Sequence, residues 1–124
     1  MIFSSSLING VKIITPNVHE DKRGTFRRSF CQNELKKNKI SFVVRQGNIS
    51  ENNNLHTLRG FHYQKEPYGE TKIISPILGK IFNVVIDLRK KSTSYLKWES
   101  FILSAREKKS ILVPKGCANA YLTL

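Results

Sequence analysis

Short runs rich in Val, Ile, Phe, Tyr and Thr, each closed by a turn-forming cluster, succeed one another along the whole chain, and this pattern leaves little freedom of fold. The spacing predicts strands over Val11–Thr15, Gly24–Phe30, Ile40–Arg45, Thr57–Gln64, Lys72–Leu78, Lys80–Leu88, Lys97–Leu103, Ser110–Val113 and Ala118–Leu124. Only Gln32–Asn38 offers a helical turn or two. Turn chemistry lies at Asp21–Gly24, Asn48–Asn54, Glu66–Gly69, Lys91–Ser94 and Pro114–Gly116. Many short strands at such spacing read as an all-β sandwich or barrel. A length of 124 residues suits one compact domain spanning 1–124, and a hydrophobic content of 40% spread evenly provides a core without disulfide or metal staples. Cys31 and Cys117 form no CxxC pair and read as reduced, buried thiols of a cytoplasmic protein.

Two of these strands carry most of the information. In Lys80–Leu88, alternation puts Phe82, Val84, Ile86 and Leu88 on one face, expected to pack, and Asn83 and Asp87 on the other, expected to line a polar cavity or to meet solvent. The run Leu58-Arg-Gly-Phe-His-Tyr-Gln64 is the densest in polar and aromatic chemistry. Arg59 and His62 would fall on opposite faces of a regular strand, but a bulge at Gly60 would return both to one side.

A formal net charge of +12, from 21 Lys and Arg against 9 Asp and Glu, suits a polyanionic partner such as nucleic acid or a nucleotide diphosphate. It equally describes a lysine-rich solvated surface. Basic residues do not interleave with aromatics along one face, which argues against nucleic acid. No apolar run is long enough to span a membrane, and the start lacks the features of a signal peptide.

In linear order the chain carries Arg23-Gly-Thr-Phe26, Gln46-Gly-Asn48, Leu58-Arg-Gly-Phe-His-Tyr-Gln64, Glu66-Pro-Tyr68, Lys72, Val84-Val-Ile-Asp-Leu-Arg89, Lys97-Trp98, Leu103-Ser-Ala105 and Pro114-Lys-Gly-Cys-Ala118. This pattern resembles the nucleoside-diphosphate 4-keto-6-deoxyhexose 3,5-epimerases, the dTDP-4-dehydrorhamnose 3,5-epimerase family. The resemblance implies a cupin-like antiparallel β-barrel (jelly roll), a homodimer, and action on a nucleoside-diphosphate sugar without a cofactor. It further implies that His62 is the general base, that Lys72 is a cation near the sugar ketone, and that Arg59 and Arg23 bind the diphosphate. Gln46 and Asn48 match the family's nucleotide-contacting segment, and Phe26 matches the aromatic just after its Arg-Gly, which the resemblance counts among the substrate binders.

The chemistry fits those residue types. Hydrogens on C3 and C5 are acidic only because C4 is a ketone, so the reaction needs a base of near-neutral pKa and a positive group where enolate charge develops. Inversion also needs an acid on the opposite ring face; in the family this is a tyrosine beyond the PxGxA strand, and Tyr121 is the nearest residue of that type here. The resemblance thus implies that the C-terminal part, with that acid and a carboxylate orienting the base, lies past Leu124. Arg28 stands where the family has a carboxylate, leaving a guanosine or cytidine nucleotide as arguable as a thymidine one. Asn83 replaces an aspartate, and Asn119 replaces the His of PxGxAH but still offers a hydrogen bond to a phosphate or sugar oxygen. A metal is not expected: Gln64 and Asn119 stand where metal-binding cupins have histidines, and His19 and His56 fall in expected turn or loop. The alternative function is a catalytically incomplete cupin that binds the sugar nucleotide without turning it over.

Overall fold

A computed structural model describes all of residues 1–124. Its elements are β1 (Ile2–Ser5), β2 (Lys12–Thr15), β3 (Val18–Asp21), β4 (Gly24–Arg27), α1 (Gln32–Lys37), β5 (Leu58–His62), β6 (Lys72–Ile74), β7 (Lys80–Asp87), β8 (Trp98–Ser104), β9 (Ser110–Val113) and β10 (Cys117–Thr123). The strands pair antiparallel in one sheet of order β1-β2-β9-β6 and a second of order β5-β10-β7-β8, while β3 and β4 form a hairpin of their own.

The two four-stranded sheets face each other across one core. Ile111 and Val113 of the first pack with Val85, Phe101, Leu103 and Cys117 of the second, and Ile8 and Val11 close one side. Burying each such aliphatic side chain contributes about 2 kcal/mol. The result is a cupin-like antiparallel barrel. The outer face of the first sheet is covered by α1, where Leu35 packs with Ile14 and Leu112. Helix α1 has no side-chain N-cap, and its place is held by that packing and by Glu34, which pairs with the Met1 ammonium.

Several expectations need correction. Ile40–Arg45 is not a strand: Ile40 and Phe42 pack against the outside of the first sheet, while the Phe42 carbonyl accepts from Gln32 Nε2. Ile40 and Phe42 serve packing and not a ladder, while Val43 and Val44 are exposed. Strands β1 and β3 were not expected, and His19 therefore sits in β3 and not in a loop. Strand β4 ends at Arg27 and β6 at Ile74, the latter shortly before Pro76, which has no N–H to donate. Cys31 is only half-buried, whereas Cys117 is buried as expected.

The face of β7 expected to pack is the outer one, and the face of Asn83 and Asp87, expected to line a polar cavity or to meet solvent, turns into the barrel. Asn83, Val85 and Asp87 are wholly buried and point into the barrel, while Phe82 is exposed and Val84 and Ile86 are half-covered. Asp87 is tolerated inside because Arg89 Nε and Nη2 donate to its two oxygens, both at 2.8 Å, and Ser94 Oγ donates at 2.6 Å. Burial pushes this carboxyl upward, but the hydrogen bonds, led by Arg89, outweigh it and hold the group well below the usual carboxylate range. Asn83 has no such partner: both its amide atoms are buried without a hydrogen bond.

Candidate active site

The β5–β10 pair builds one wall of the site. Leu58 lies opposite Leu122, Arg59 opposite Tyr121, and His62 opposite Asn119, so three steps along β5 match two along β10. The extra residue is a bulge, and Gly60 sits in it with φ of +134°. A Cβ at Gly60 would overlap the Ala120 side chain and lie 2.9 Å from the Asn119 carbonyl oxygen. Only glycine accommodates both the conformation and the contact. The bulge puts Arg59 and His62 on the face shared by Tyr121 and Asn119, and that face continues across β7 through Asn83 and Val85, the interior of the barrel.

Lys72 belongs to the opposite wall. It opens β6 opposite the buried Val113, and its neighbour two residues on, Ile74, packs against the core. Its Nζ pairs with Glu70 at 2.9 Å. Arg59 Nε donates to Asn52 Oδ1 at 2.7 Å, Asn52 Nδ2 donates to the Tyr121 hydroxyl at 3.4 Å, and Ser50 Oγ lies 2.9 Å from that hydroxyl. A guanidinium and an imidazole on one wall, with an ammonium on the other, can hold an anion and place a base near a developing oxyanion.

The other expected residues are not gathered with these. Arg23 occupies the turn of the β3–β4 hairpin, where Nη2 pairs with Asp21 at 2.6 Å. Phe26 is exposed on the same hairpin, opposite His19. Arg28, just beyond β4, pairs with Glu34 of α1 at 2.9 Å. Gln46 and Asn48 are exposed in the irregular segment before β5. Asn119 is buried between His62 and Val85. A shallow hollow beside α1, lined by Arg28, Glu34 and Lys37 among others, shares only Arg28 with the expected set. No group of three His, Cys, Asp or Glu side chains is gathered as a metal site. Sequence reading missed Asn52 and Glu70; the spacing of Glu70 and Lys72 along an extended chain was the signal available for the second pair.

Comparison with known proteins adds independent support for the fold. The family model described as dTDP-4-dehydrorhamnose 3,5-epimerase matches residues 5–124. The chain is 38% identical over 120 residues to dTDP-4-dehydrorhamnose 3,5-epimerase of Shigella flexneri, covering 94% of this chain and 65% of that protein. Among solved structures, it is similar to dTDP-4-dehydrorhamnose 3,5-epimerase from Bacillus anthracis with TDP and PPi bound, with a TM-score of 0.96, 34% identity, and coverage of 99% of this chain and 70% of that one. It is also similar to a dTDP-6-deoxy-D-glucose-3,5-epimerase from Legionella pneumophila in complex with dTDP-4-keto-L-rhamnose, with a TM-score of 0.92, 31% identity, and coverage of 99% and 65%. The chain thus spans about 65% of the length of such curated relatives.

Proposed function

The chain belongs to the dTDP-4-dehydrorhamnose 3,5-epimerase family, and from that premise we propose that its 124 residues act as one domain in the cofactor-independent epimerisation of a nucleotide-linked 4-keto-6-deoxy sugar, as in dTDP-L-rhamnose formation. The observation that carries this reading is the bulge that sets Arg59 and His62 on one interior wall, with Lys72 on the wall across from it. In the proposed reaction Arg59 pairs with diphosphate oxygens, and Gln46 and Asn48 contact the nucleotide. His62 removes a proton from the carbon next to the ketone, and Lys72 stabilises the enolate oxygen. Asn119, beside His62, donates to a sugar or phosphate oxygen. TDP and a dTDP-linked keto sugar in the two similar structures support a thymidine nucleotide, and the engagement of Arg28 by Glu34 removes it from base recognition within its own protomer.

The same reading assigns Arg23 and Phe26 to a neighbouring protomer. Their hairpin pairs with no other strand of its own chain and presents both side chains to solvent, as a homodimer that shares its sites would require. The assigned setting is the cytoplasm; no helix is long and apolar enough to cross a membrane.

Proton exchange tests the base. In deuterated water with a dTDP-linked 4-keto-6-deoxy sugar, the chain should catalyse deuterium incorporation next to the ketone, and His62→Ala should abolish it. Exchange undiminished by His62→Ala would overturn the assignment.

A further inference from the structure

We propose that Asn52 and Tyr121 are positioning residues that hold Arg59 ready for a diphosphate, an inference that rests on the reading of Arg59 as the diphosphate binder. Arg59 stands on β5, an edge strand, and its exposed side chain would lose considerable rotamer entropy on gripping an anion. Asn52 Oδ1 accepts from Nε at 2.7 Å, which fixes the guanidinium plane while leaving the two terminal nitrogens for a bidentate grip on phosphate oxygens.

Asn52 itself lies in an irregular segment and needs an anchor. Tyr121 provides it: the residue is in β10, directly opposite Arg59, and its hydroxyl meets both Asn52 Nδ2 and Ser50 Oγ. The segment so pinned also carries Gln46 and Asn48. One phenol therefore couples the nucleotide-contacting segment to the arginine. Tyr121 is poorly placed to be the acid that inversion requires, because it rises from the same wall as His62 and would approach a bound sugar from the side of the base. Its hydroxyl is employed in holding the loop.

Affinities for TDP and for thymidine separate this role from a merely structural one. Asn52→Leu should weaken TDP binding by about tenfold, the loss expected for one hydrogen bond to a charged group, and leave thymidine within about twofold. Tyr121→Phe should weaken TDP binding in the same sense by about threefold, since Asn52 keeps its bond to Arg59 but loses its anchor. In an Arg59→Ala background, Asn52→Leu should add nothing. Unchanged TDP affinity in Asn52→Leu, or equal losses for TDP and thymidine, would overturn the inference while the wild-type preference for TDP keeps the diphosphate reading intact. A wild-type chain that binds thymidine as tightly as TDP would overturn that reading and the inference with it.

Discussion

Gly60 lies against Ala120 so closely that the glycine has no room for a Cβ, and this contact sets the register of β5 on β10. Gly60→Ala should therefore lose at least about 2 kcal/mol of stability, from positive φ and overlap together. Its TDP affinity should fall as well, since removing the bulge would turn Arg59 and His62 to opposite faces. Urea unfolding and TDP titration measure the two effects; a variant of wild-type stability and affinity would show that the register is set elsewhere.

Asp87 and Arg89 make stability depend on acidity. The Asp87 carboxyl is held well below the usual range when folded, whereas an unfolded Asp titrates near about 4. Its contribution is therefore complete above about pH 4 and is lost progressively as pH falls from there towards the folded value. Asp87→Asn should cost about 2 kcal/mol near neutral pH and flatten the loss of stability between about pH 5 and about pH 3. Urea midpoints at both pH values provide the check.

The two thiols should differ in reactivity. Cys117 is buried, and burial pushes its thiol up to about 11, while Cys31 is half-buried beside α1. Alkylation of the native chain near neutral pH should label Cys31 and spare Cys117, with both labelled once the chain is unfolded. Peptide mapping reads the outcome; native labelling of Cys117 would contradict its place in the core.

Much of this was legible in the sequence, and particular residues show where legibility stopped. Strand Ser110–Val113 and the bulge at Gly60 were readable because β-forming runs and a glycine inside one are local signals. The packing face of β7 was misread because apolar residues stand on both faces: Phe82, Val84 and Ile86 outweigh Ile81 and Val85 in bulk, and nothing local reveals that Arg89 satisfies Asp87 inside. Arg59 and His62 were placed together because they share a strand. The separation of Arg23, Phe26 and Arg28 from that strand depends on where a hairpin and a helix pack, which no linear motif records.

His62 and Lys72 stand on different sheets, and the gap between them is set by neither. Val113 is the strand partner of Lys72, Val85 faces Asn119 beside His62, and the two valines belong to the same core cluster. The arrangement is that of a caliper whose jaws are the sheets and whose spacer is the apolar filling. Interiors packed to crystal density transmit a change of one methylene. A substitution such as Val85→Ile thus adjusts the reach from imidazole to ammonium without altering either group, and the barrel's core is a dimension of the site as much as its support.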